Sequence, residues 1–192
     1  MNILIVGVGG QGTLLTSKVL GRYATLIGSD VKLSEVHGMA QRGGSVVTHV
    51  RIADVIHSPI IWEGGADVVL AFEKLEGLRA AHFLKPNGVL LVNDMKIYPM
   101  PVITGAAKYP EDIDERLAEK GVNTFSLDAL ALSREAGNVK SVNIVMLGAL
   151  TAAVNMDYEK MKTALVESVP EKFRDVNLAA LQAGYQAYKK GC

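Results

Sequence analysis

Cysteine is almost absent from this 192-residue chain, and the only one is Cys192. A single thiol leaves no internal disulfide, no cysteine-based zinc site and no iron–sulfur cluster held by this chain alone. Net charge is absent as well, since 20 Lys and Arg balance 20 Asp and Glu. Composition therefore carries no electrostatic footprint for nucleic acid or an anionic membrane, and neutrality favours association with a protein partner. Membrane-length apolar runs are also missing. The uncharged stretch from Ser141 to Met156 is short for a span and is interrupted by Asn143 and Asn155. The start, Met1-Asn2-Ile3-Leu4-Ile5-Val6-Gly7, has no basic flank and runs straight into glycines, which does not suit a secretory signal. A cytoplasmic protein is the expectation.

With 49% hydrophobic residues, 21% charged residues and a mean hydropathy of +0.21, the chain can bury a full core, which excludes a disordered or fibrous class. Its length suits one domain spanning residues 1–192. Ile3 to Val6 is a short β-branched run ending at glycines, as expected of a parallel strand buried on both faces. Leu15, Val19, Tyr23 and Leu26 then recur at helical spacing up to Gly28, and Val31 to Glu35 reads as a second strand, giving βαβ. Ser45 to Ile52 alternates, and Ala53-Asp54 can turn the chain into Val55 to Ile61, which predicts an antiparallel hairpin with Pro59 on an edge. Ala66 to Phe72 reads as a strand, Lys74 to Leu84 as a helix, and Lys85 to Gly88 as a turn into the strand Val89 to Asn93. Pro99 to Tyr109 reads as an irregular connection or an edge. Asp112 to Lys120 reads as a helix closed by Gly121, and Val122 to Leu127 as the last strand. The pattern is helical from Asp128 onward, and the stretch 141–154 is apolar nearly all round. The predicted fold is α/β: a Rossmann-like, doubly wound, mostly parallel sheet with an inserted antiparallel hairpin and a helical C-terminal region.

Two clusters carry the chemistry. Gly7-Val8-Gly9-Gly10-Gln11-Gly12 is a G-x-G-x-x-G between a strand and a helix. There the missing side chains let backbone approach a ligand, and the helix end favours phosphate or carboxylate. The same glycines would also serve a tight crossover with no ligand. Gly7, Gly9, Gly10, Gln11 and Gly12 are the candidate anion or cofactor contacts. Glu35, 23 residues past Gly12, is placed to hold ribose hydroxyls as in dinucleotide folds, or equally to orient His37 or pair with Arg42. His37-Gly38-Met39-Ala40-Gln41-Arg42-Gly43-Gly44 has no apolar period. It follows a strand at the edge where doubly wound sheets form their crevice, and its ring, amide and cation suit an anionic ligand. A solvated turn with a surface Arg is the plainer alternative. No residue emerges as a catalytic acid, base or nucleophile, and no metal-ligand spacing is present.

These two motifs at this separation, with Val50-Arg51 beyond them, closely resemble the gamma-type subunit of 2-oxoacid:ferredoxin oxidoreductases. The H-G-M-A-Q-R-G-G form is similar to that of the indolepyruvate-type enzymes, whereas pyruvate-type chains typically carry Tyr-Gly-x-Glu-x-Arg-Gly. The resemblance spans essentially the whole chain. It implies a subunit, inactive alone, of an enzyme that converts an aryl 2-oxoacid, coenzyme A and oxidised ferredoxin to an acyl-CoA, carbon dioxide and reduced ferredoxin. Thiamine diphosphate and the iron–sulfur clusters are then expected on a large partner subunit, with CoA as co-substrate and no cofactor held by this chain alone. On this reading His37, Gln41, Arg42, Gly43 and Gly44 line the substrate or CoA side, and Arg42 is the first choice for an anion contact. The competing readings are a free-standing NAD(P)-binding oxidoreductase using Gly7, Gly9, Gly12 and Glu35, and a non-catalytic nucleotide-binding module.

Overall fold

The computed structural model describes residues 1–38 and 43–191. A six-stranded sheet runs through the molecule in the order β2-β3-β1-β4-β5-β6. The strands are β1 (Asn2–Val8), β2 (Asp30–His37), β3 (Ser45–Ala53), β4 (Ala66–Ala71), β5 (Leu84–Asn93) and β6 (Thr124–Leu127). Neighbours β1, β4, β5 and β6 pair in parallel, while β3 is antiparallel to both β1 and β2.

Alternation in β1 builds both cores. Ile3 and Ile5 face one side, Leu4 and Val6 the other, and all four are at most 1% exposed. The first side is covered by α1 (Thr13–Leu26), α5 (Ala129–Glu135), α6 (Val142–Ala153), α7 (Tyr158–Ser168) and α8 (Arg174–Gly191). The second is covered by α2 (Lys74–Ala80) and α4 (Ile113–Glu119). Helices on both faces, with α1 and α2 leaving β1 and β4 in opposite directions, make the sheet doubly wound.

Helix α6 is the best-buried helix of the first layer: ten of its twelve residues are buried. It crosses α8 closely at two facing glycines. A methyl on Gly148 would collide with the Leu181 carbonyl, and one on Gly184 with the Val145 carbonyl. An all-round apolar helix is thus explained by enclosure within the chain.

Several local expectations change. Strand β2 does not join a βαβ unit beside β1, because β3 lies between them. The antiparallel hairpin is β2 with β3, connected through residues 38–44, and not β3 with 55–61. Residues 55–61 form no strand because side chains take over their backbone partners. Ile56 N–H donates to Asp30 Oδ2 (3.0 Å), Arg51 Nη1 donates to the Ser58 carbonyl (2.8 Å) and Ile61 N–H donates to His49 Nδ1 (3.1 Å). His49 is consequently buried, and burial lowers its pKa. Helix α2 ends at Ala80, and a single 3-10 turn, Ala81–Phe83, leads directly into β5. The Lys85–Gly88 turn is a register shift inside β5, with Asn87 at a φ of 64°. Finally, the segment read as irregular contains a one-turn helix, α3 (Met100–Ile103).

Candidate functional site

The C-terminal ends of β1, β2, β4 and β5 gather at one edge of the sheet, and both sequence motifs lie there. Each motif is attached to the other. Gly9 N–H donates to the Gly44 carbonyl at 2.9 Å, so the glycine loop holds the outgoing end of the second motif beside it. Ser45 continues that anchor, donating its hydroxyl to Glu76 Oε2 (2.5 Å), whose other oxygen meets Arg79 Nη1 at 2.6 Å.

The glycine loop is more closed than its motif suggests. Gln11 turns inward: its Oε1 accepts from Val8 N–H (2.6 Å) and its Nε2 donates to the Phe72 carbonyl (2.9 Å). Both ends of the amide are therefore engaged within the fold. Gly7 is needed because a Cβ there would stand 2.7 Å from Gln11 Oε1 and 3.2 Å from Phe72 Cβ. Gly12 has a φ of +90°, and its Cβ would lie 2.7 Å from Asn143 Nδ2 at the start of α6. Only Gly9 and Gly10 of the motif remain on the cleft wall.

That cleft, about 250 Å³, is lined by Gly9, Gly10, Thr13, Leu14, Glu35, His37 and Val46. Glu35 sits in it with Oε2 accepting from Thr48 Oγ1 (3.0 Å) and Thr13 Oγ1 (3.3 Å). The positive end of α1 thus already faces a carboxylate of the chain itself. His37 Nδ1 lies 3.0 Å from the Gly38 carbonyl oxygen, and the exposed ring borders the cleft. Gly43 and Gly44 follow at the entrance to β3, whereas Met39, Ala40, Gln41 and Arg42 lie outside the described residues. As lined by the described residues the cleft is smaller than the roughly 300–1,000 Å³ of typical ligand cavities.

Sequence reasoning overlooked a polar network at the same edge. Asn93, fully buried, donates to the Phe72 carbonyl (3.2 Å) and accepts from Ala129 N–H (3.1 Å), tying β4, β5 and α5 to the carbonyl that Gln11 also uses. Glu73, 1% exposed, accepts from Glu76 N–H, Ile97 N–H and the Tyr109 hydroxyl. Polar residues standing directly after the apolar runs of β4 and β5 were the available signal.

The dinucleotide reading loses its geometric basis. In that fold the strand carrying the ribose-binding acid lies beside the glycine strand, while here β3 separates β2 from β1. A different likeness accounts for the arrangement: residues 2–187 match the family model described as pyruvate ferredoxin/flavodoxin oxidoreductase. The chain belongs to that family. It is similar to an indolepyruvate oxidoreductase subunit, IorB, of Archaeoglobus fulgidus, with 45% identity over 96% of this chain and 94% of the relative. The corresponding IorB of Pyrococcus horikoshii is 42% identical over 98% and 96%. Among solved structures, the gamma subunit of a keto/oxoacid ferredoxin oxidoreductase from Geobacter sulfurreducens superposes with a TM-score of 0.73 at 25% identity, covering 98% of both chains.

Membership makes the chain part of an oxidoreductase, and its residues bear on which redox groups it can hold. With Cys192 the only cysteine, the chain lacks the thiolates an iron–sulfur cluster needs. Among the described residues, no group of three or more His, Asp or Glu side chains is placed to hold a metal ion, and no helix is long and apolar enough to cross a membrane.

Proposed function

We propose that this chain is the small, gamma-type subunit of an indolepyruvate-type 2-oxoacid:ferredoxin oxidoreductase. The observation carrying the proposal is its full-length likeness to IorB subunits in two organisms, joined to the H-G-M-A-Q-R-G-G form of the second motif. The reaction is the oxidative decarboxylation of an aryl 2-oxoacid. The C1–C2 bond breaks to release carbon dioxide, the acyl carbon is transferred to the CoA thiol, and two electrons pass to ferredoxin. Thiamine diphosphate supplies the carbanion chemistry on the large subunit, which also carries the iron–sulfur clusters. The present chain, acting as one unit across residues 1–192 in the cytoplasm, forms one wall of a composite site.

In that wall, Arg42 meets a carboxylate or phosphate of substrate or CoA, with His37, Gln41, Gly43 and Gly44 shaping the approach. The Gly10 backbone amide on the cleft wall is a second polar contact. A cleft smaller than its ligand supports a site completed by a partner. The test is purification of the native protein from its source. A brown, thiamine-containing complex with a large subunit is expected, and a colourless homo-oligomer that binds NAD would contradict the reading. Within the complex, Arg42→Lys weakens apparent affinity for substrate or CoA roughly ten- to a hundred-fold, because an ammonium cannot reproduce the guanidinium's two-donor fork. Unchanged Michaelis constants would return Arg42 to a surface role.

A further inference from the structure

One wall of the cleft is fixed from the other side of the sheet. Alternation along β3 sends Val46 into the cleft and turns Ser45 and Val47 to the opposite face, beside Leu4 and Val6. On that face stands Glu76, the third residue of α2. A Glu at this place in a helix commonly turns back on the capping residue. Here the cap is made by Glu73, whose Oε2 accepts from Glu76 N–H at 2.9 Å. The Glu76 carboxylate reaches away instead, accepting from Ser45 Oγ (2.5 Å) and Arg79 Nη1 (2.6 Å).

Glu76 is 6% exposed and borders a cavity of about 110 Å³ that it shares with Leu4, Val6, Ala80 and Phe83. Taking a carboxylate out of water in such surroundings is costly, and Arg79, about half exposed, offsets only part of that cost. What the placement achieves is seen at Ser45, which opens β3. Ser45 is the last residue of the ladder with β1, opposite Val8, and the bond beyond the ladder is that from Gly9 N–H to the Gly44 carbonyl. Strand ends fray, and Ser45 is itself exposed, so no burial of its own side chain keeps this end closed. Gly9, Val46 and His37, which pairs with Val46 across β2, all line the cleft. Displacing the start of β3 therefore moves three lining residues together.

We propose that Glu76 is a positioning residue for the composite site: from the far face of the sheet its carboxylate clamps Ser45, and through Ser45 it keeps Gly44 on Gly9 and the cleft wall in place. The assignment rests on the chain forming one wall of the oxidoreductase site. Glu76 lies across the sheet from the cleft and meets no ligand there. Its effect is on the fraction of chains whose cleft has the binding shape, and a reduced fraction weakens apparent affinity in proportion.

Two variants remove the clamp in different ways. Ser45→Ala deletes the hydroxyl alone, and Ser45→Thr restores it on a residue that suits a strand. Glu76→Met replaces the buried carboxylate by an apolar chain of similar length, a kind of change that is often neutral for stability, so the isolated variant melts within about 4 °C of wild type. Amide-resolved hydrogen exchange on the isolated chain reads the clamp directly. The Gly9 amide exchanges about three- to ten-fold faster in Ser45→Ala and in Glu76→Met, and at the wild-type rate in Ser45→Thr. In the complex with the larger subunit, the same two variants raise KM for oxoacid or CoA about three- to ten-fold while kcat stays within about two-fold. Ser45→Thr is normal there, and Ser45→Ala adds nothing to Glu76→Met. Unchanged Gly9 exchange overturns the clamp. Faster exchange with unchanged KM, or a loss confined to melting temperature, overturns its role in the site. A wild-type complex that reduces no ferredoxin with indolepyruvate and CoA overturns the subunit reading, and this assignment with it, whatever the exchange rates are.

Discussion

Helix α6 and the segment carrying α3 are both apolar, yet they end in opposite environments. Ten of the twelve residues of α6 are buried, between the sheet and α8, while α3 buries none of its four. The difference lies in what each has around it. Helix α6 is apolar on every side and meets α8 through facing glycines, so its surface is used up inside the chain. The α3 segment is attached through Glu73, Lys74 and Tyr109, and of its apolar side chains only Val102 packs on the core and Tyr98 on the Tyr109 ring. Apolar sequence alone therefore does not distinguish core from exposed surface. What distinguishes them is whether the fold's own contacts account for the surface.

The sharpest way to break the comparison is at the helix crossing. Gly184→Ala drives a methyl into the backbone of Val145, which no side-chain rotation relieves. A loss of about 4 kcal/mol or more, or failure to fold, is expected in urea denaturation. Next comes Gly12, whose contact with Asn143 ties the glycine loop to the start of α6. Gly12→Ala meets Asn143 Nδ2 at 2.7 Å with a φ of +90°, and should cost about 2–4 kcal/mol. Gly10→Ala has a similar φ of +100° but open space, and should cost only about 1–2 kcal/mol. Equal losses at the two positions would remove α6 from the support of the loop.

On the other side of the comparison, Tyr109→Phe removes one donor from the buried Glu73 carboxylate. Roughly 1–3 kcal/mol of stability should disappear, with faster amide exchange confined to residues 96–108. Smallest of all, Met100→Ala and Ile103→Ala in the isolated chain should each stay within about 0.5 kcal/mol of wild type, since neither is buried. A larger loss would place α3 in the chain's own core.

The parallel strands were readable because Ile3 to Val6, Ala66 to Phe72 and Val89 to Asn93 are apolar on both faces, a pattern only a covered central strand can use. The partner of β2 was not readable. Whether β2 lies beside β1 or beyond β3 depends on the reversal through residues 38–44, which has no apolar period. Residues 55–61 looked like a strand because local pattern cannot reveal that Asp30, Arg51 and His49 satisfy their backbone. The two motifs lie side by side at one edge of the sheet, joined from Gly9 to Gly44. Motif spacing, however, could not tell which glycines face outward, and Gln11 lies inside because its amide completes the turn that the glycines leave open.

The central claim, as proposed above, is that this chain contributes one wall of a composite site to an oxidoreductase whose redox chemistry lies on another subunit. The most direct measurement is indolepyruvate-dependent reduction of ferredoxin by the purified chain, by the larger subunit, and by the two combined. The account predicts no reduction by this chain alone and CoA-dependent reduction when both are present. Reduction of ferredoxin by the isolated chain, or a fully active larger subunit that the chain leaves unaffected, would contradict it.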